Sequence, residues 1–165
     1  MNFLTRWPSV LTLVLAALLA EVGYGQTYGS DSHTVRVSVL PIATVSASVG
    51  AVSLNMASGT IIPGQDQMVV TDQSTTLSWG INSANRKITA STSLATPLFQ
   101  LKMAALNPTR GTAAPEFIVS TVGRDVILNV GRSTGTCAIR YTGTALASQG
   151  AGTDHHVITF TVQTQ

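Results

Sequence analysis

Cysteine is nearly missing from this chain: Cys137 stands alone, so no intrachain disulfide can form and the fold must be held by its core. Charge is scarce as well, at 10% of residues against roughly 25% in an average soluble domain. Nine basic and seven acidic residues give a net charge of +2, and Arg86-Lys87 is the single adjacent basic pair. Nucleic-acid binding requires a clustered basic footprint, so that class is excluded as an expectation. Aromatics make up 5%, and no apolar run reaches the roughly 18–20 residues that span a bilayer as a helix. No segment longer than about ten residues carries the 3.6-residue period of an amphipathic helix.

What is present begins with Arg6, followed by the apolar run Val10 to Ala20 and the small residues Gly23 and Gly25. A basic start, a short apolar stretch and small residues at a cut predict a secretory signal peptide over residues 1–25. Export to the cell surface, the extracellular space or the periplasm follows as an expectation. Residues 26–33 are small and polar and predict a flexible leader. Residues 34–165 then have the size of one domain.

Period two dominates that domain. Val35, Val37, Val39, Ala43, Val45, Ala47 and Val49 share one parity, and Thr34, Arg36, Ser38, Thr44, Ser46 and Ser48 take the other. This is the pattern of a half-buried strand. Pro41 cannot donate to a ladder, which predicts two collinear strands, 34–40 and 42–48, switching sheets at the proline. Further strands are predicted over 51–57, 67–71, 75–81, 86–91, 98–104, 116–122, 125–130, 136–142 and 156–163. Turns fall at 59–66, 82–85, 107–115 and 131–135, a hairpin at 75–91, and a flexible stretch over 143–154. Short strands at near-regular spacing predict an all-β fold, an antiparallel β-sandwich that is immunoglobulin-like in the broad sense. Its core is expected to hold Val35, Val37, Val39, Val45, Val52, Leu54, Leu77, Trp79, Ile81, Ile88, Leu101, Leu128, Ile139, Tyr141, Ile158, Phe160 and Val162.

Catalytic chemistry finds little support. Gly131-Arg132-Ser133-Thr134-Gly135 matches the G-x-S-x-G nucleophile elbow, with Asp154, His155 and His156 following in triad order. The elbow needs a strand, a sharp turn and a helix, whereas the residues after Gly135 are strand-like. A glycine-serine loop is the better reading, and a small serine hydrolase stays a remote alternative. Neighbouring His155 and His156 would point to opposite faces of a strand, so no metal site is assigned. The acidic residues are dispersed, and no cofactor is expected. Trp79 alternates with Leu77 and Ile81, which makes it a core residue rather than a sugar-stacking platform. Cys137 is expected to be a buried apolar side chain.

The first and last strands carry the functional expectation. Ile158-Thr159-Phe160-Thr161-Val162 closes the chain as a Thr-rich alternating strand, without charge or proline between Val157 and Gln165. Together with the signal peptide and the valine-rich first strand, this resembles small bacterial secreted β-sandwich subunits of the pilin-like and spore-coat-U-like kind. The resemblance implies a non-enzymatic structural or adhesive surface subunit, joined to further copies or to other matrix proteins by β-strand addition. Val35, Val37, Val39, Val45, Ile158, Phe160 and Val162 are the expected strand-pairing residues. The alternative is a monomeric extracellular β-sandwich that binds a ligand or glycan.

Overall fold

The computed structural model describes residues 31–48, 50–57 and 62–165. The predicted signal peptide and most of the predicted leader lie outside the described residues. The chain divides between Ser38 and Val39, and both sheets belong to Val39–Gln165.

Among the described residues nine strands form two antiparallel sheets, the arrangement of a β-sandwich. They are β1 (Ala43–Ala47), β2 (Gln67–Ile81), β3 (Arg86–Thr92), β4 (Gln100–Leu106), β5 (Thr112–Ala113), β6 (Phe117–Ile118), β7 (Arg124–Val130), β8 (Ser133–Leu146) and β9 (Ile158–Thr164). One sheet has the order β1-β2-β8-β4-β6 and the other β5-β7-β3-β9. From β2 onward every successive strand lies in the opposite sheet. The expected hairpin over 75–91 is therefore corrected: β2 already carries β1 and β8 on its flanks, and the turn at 82–85 hands the chain across the sandwich instead.

The core forms where the inward rows of the two sheets meet. Leu77, Trp79 and Ile81 of β2, Met103 of β4 and Cys137, Ile139 and Tyr141 of β8 face Ile88 and Ala90 of β3 and Val126, Ile127 and Val130 of β7. Val45, Val52, Leu54, Leu101, Ile158, Phe160 and Val162 are partly buried against this cluster, and Leu128 is half-buried on β7. The expected core members Val35, Val37 and Val39 are corrected: they are 70%, 83% and 74% exposed and lie in no strand. Their alternation is real, but residues 34–40 have no ladder partner among the described residues, so it buries nothing.

Other boundaries shift for identifiable reasons. The sequence pattern splits 67–71 from 75–81 because inward parity changes between them. In the structure this is one 15-residue strand with a bulge. Asp72 opposes Tyr141 and Thr75 opposes Ile139, so β2 inserts one extra residue. The Asp72 carboxylate accepts from the Ser74 amide at 3.0 Å and the Ser74 hydroxyl at 2.7 Å, which holds the bulge. Ile62-Pro63-Gly64-Gln65 makes the expected turn, closed by Gln65 N–H to Ile62 O at 2.9 Å with Gly64 at φ 89°. Residues 51–57 alternate in burial yet form no strand; Leu54 and Met56 instead lie over Gly143 of β8. The stretch expected to be flexible continues β8 to Leu146 and then turns through 3-10 helix at Ala147–Gln149. Asp66 pins that turn by accepting from Ser148 N–H at 2.9 Å and its hydroxyl at 2.8 Å. Of the expected strand 116–122, only Phe117–Ile118 is regular strand, although Val119 N–H bonds Leu101 O and Ser120 O accepts from Thr92 N–H, both at 2.9 Å.

Gly135 is the most constrained glycine. It lies directly opposite Trp79, and a Cβ there would fall 2.4 Å from the indole Cζ2. The sequence motif that suggested a loop thus encodes a strand position at which the indole lies flat on backbone. Gly135→Ala should destabilise by about 1–3 kcal/mol through overpacking, and Trp79→Ala by about 3–5 kcal/mol through a cavity. Chemical denaturation of both variants and the double variant checks this. The double variant should lose less than the sum, because the alanine methyl has room once the indole is gone.

Candidate strand-pairing interface

Each flank of a strand either carries a ladder or presents bare N–H and C=O groups. Among the described residues β9 pairs on one flank only, with β3, in the register Thr89 opposite Thr161 and Ile88 opposite Val162. The bonds Ser93 N–H to Val157 O (3.1 Å) and Gln165 N–H to Asn85 O (2.9 Å) continue that register at both ends. In an antiparallel ladder backbone groups alternate in direction. Odd-numbered residues of β9 therefore face β3, while the N–H and C=O groups of Ile158, Phe160, Val162 and Thr164 point to the open flank. The side chains of Ile158, Phe160 and Val162 are half-buried, and Val157, Thr159, Thr161 and Gln163 are exposed.

Near the start of Val39–Gln165, the Asn82 amide clasps the chain on either side of Pro41. Its Nδ2 donates to Leu40 O at 2.7 Å, its Oδ1 accepts from Ile42 N–H at 2.7 Å, and its own N–H bonds Ile42 O at 3.1 Å. A side-chain amide supplies what proline withholds from the ladder. Strand β1 starts immediately afterwards, shorter than predicted, with Val45 half-buried opposite Trp79. The expected interface residues thus fall into three groups: Val35, Val37 and Val39 exposed ahead of the clasp, Val45 within β1, and Ile158, Phe160 and Val162 along β9.

The residues considered for chemistry are kept apart. Ser133 opens β8 opposite Ile81, and its hydroxyl donates to Gly131 O at 3.3 Å. The Asp154 carboxylate accepts from the Phe99 amide at 2.8 Å, next to Gln100, which pairs with Thr144 at the far end of β8. At about 3.3 Å per residue, Ser133 and Thr144 stand roughly 35 Å apart. No contact joins the serine to either histidine. His156 Nδ1 meets the Thr92 hydroxyl at 3.1 Å, and burial lowers its pKa against the opposing pull of Asp154. Among the described residues no three His, Cys, Asp or Glu side chains gather as metal ligands. None of the described aromatic side chains is exposed.

Cys137 and Tyr141 share the inward row of β8. Burial pushes the thiol up from 9.0 to about 11. Burial, followed by the Asp72 carboxylate opposite, pushes the phenol up from 10.0 to about 12. No helix among the described residues is long and apolar enough to cross a membrane.

No family model matches the chain, and neither a curated protein nor a solved structure is similar to it.

Both shifts favour the protonated forms in the folded state. The unfolded thiol gives up its proton near pH 9 and the folded one near pH 11, so stability present below pH 9 is lost as pH rises to 11. Tyr141 adds a second loss between pH 10 and 12. Thermal melts across this range should show Tm declining from pH 9, and Cys137→Ala should delay the onset towards pH 10.

Proposed function

We propose that this protein is a secreted, non-enzymatic structural subunit that joins copies of itself by β-strand addition, residues 34–40 of one copy pairing with the open flank of β9 in the next. The observation that carries this reading is a match between two halves found separately in one chain. Residues 34–40 and β9 are both seven residues long. Val35, Val37 and Val39 repeat every two residues and are exposed. The open flank of β9 offers backbone groups at every second residue, with neither charge nor proline to block pairing. Backbone bonds would supply affinity, and the valines would add apolar cover beside Ile158, Phe160 and Val162.

Residues 43–47 already pair within their own sheet, so the donor is limited to the segment ending at Leu40, whose carbonyl the Asn82 clasp holds. The clasp favours exchange, because it fixes β1 independently of whatever precedes Leu40. The two antiparallel sheets support an immunoglobulin-like sandwich in the broad sense. Residues 1–25 support export, and the scarcity of charge suits a surface that packs against its own kind.

Light scattering on the protein starting at Gln26 should show concentration-dependent oligomers. Val35→Asp together with Val37→Asp should leave a monomer with an unchanged Tm, since neither side chain is buried. A synthetic peptide of residues 33–41 should compete with assembly. A parent protein that stays monomeric at high concentration would exclude this function, as would oligomers indifferent to both aspartates.

A further inference from the structure

Arginines in Val39–Gln165 are mostly engaged. Arg86 bonds the Ser83 and Thr164 hydroxyls, Arg140 pairs with Glu116 at 3.0 Å, and Arg124 lies over the Phe117 ring. Two are not. Arg110, in the connection after β4, and Arg132, in the connection before β8, have neither an ion pair nor a hydrogen bond among the described residues. Though 22 positions apart in sequence, they line the same open cleft of about 560 Å³, beside Asn129, Ser133 and Thr134, and no carboxylate lines it. Two unpaired guanidinium groups line this cleft and no carboxylate does, so its lining is positive and suited to receive negative charge.

The cleft continues into a second depression that shares Asn129 and Gly131 and adds Asn85 and Gln165. There the amides are already positioned: Gln165 Oε1 accepts from Asn129 N–H at 2.8 Å, and Gln165 Nε2 donates to Asn129 Oδ1 at 3.0 Å. Asn129 Nδ2 is left over, and both Asn85, just before β3, and Asn129, at a register shift in β7, are held at positive φ, 55° and 56°. Guanidinium groups recognise planar oxyanions bidentately, and side-chain amides suit hydroxyl groups.

We propose that this end of the sandwich binds an acidic polysaccharide, Arg110 and Arg132 gripping the carboxylate of a uronate residue while Asn85 and Asn129 meet hydroxyls of the next sugar. An open cleft without an exposed aromatic fits this chemistry better than the stacking used for neutral sugars. The site shares no residue with Ile158, Phe160, Val162 and Thr164 on the open flank of β9, so it stands or falls apart from strand addition.

Calorimetric titration of the protein with a short galacturonate oligomer at low ionic strength tests it, alongside a neutral oligomer and a sulfated oligomer of equal length. The galacturonate should bind, and added salt should weaken it. Arg110→Ala and Arg132→Ala should each weaken it by about tenfold or more, as for loss of a charge-assisted hydrogen bond. The double variant should bind undetectably with an unchanged Tm, because neither side chain has a partner to lose. Lys102→Ala removes the same charge from β4 and should leave affinity unchanged. Equal binding of the neutral oligomer, undiminished binding by the double variant, or an equal loss in Lys102→Ala would overturn the proposal. Binding of the sulfated oligomer alone would overturn the assignment to carboxylate.

Discussion

Strand β8 is the member on which the rest of the sandwich is assembled. It carries β2 along one flank and β4 along the other, and its inward row runs Gly135, Cys137, Ile139, Tyr141, Gly143 and Ala145. The row sets three space-filling side chains, Cys137, Ile139 and Tyr141, between two glycines that yield space. Trp79 occupies what Gly135 leaves open, and Leu54 and Met56 occupy what Gly143 leaves open. Bulky neighbours can therefore lie directly on backbone, and the interior closes without a disulfide. The indole N–H of Trp79 and the Thr75 hydroxyl are buried without a hydrogen-bond partner among the described residues, a cost that the packing around them must offset.

Much of this was legible from alternation alone. The strands around Leu77, Ile88, Leu101, Val126, Ile139 and Phe160 have inward and outward faces set by residue type, and period two finds them. The failures have a common cause: alternation tells which face of a segment is apolar, not whether a partner exists to cover it. Residues 34–40 and 43–47 carry the same pattern, yet only the second is in a ladder. The bulge at Asp72–Thr75 broke parity and made one strand look like two. The glycines of 131–135 read as a loop because nothing local reveals an indole arriving from another strand.

The candidate sites show the same divide. The apolar row of β9 was evident from residue types, but its open flank follows from sheet order, which depends on every other strand. The arginine cleft left no trace in the sequence, where Arg110 and Arg132 are two among scattered cations. The serine, aspartate and histidines are the opposite case, a chemically suggestive order along the chain that the fold spreads across the full length of β8.

The handing of the chain from sheet to sheet at every connection after β2 has a kinetic consequence. No two neighbours in sequence from β2 to β9 are neighbours in a ladder, so no hairpin can form early and guide the rest. Each ladder must close a long loop before it gains anything, and chains dominated by such distant pairings fold on the slow side, in milliseconds to seconds. The chain therefore spends a comparatively long interval with its ladders unmade, and then acquires them together.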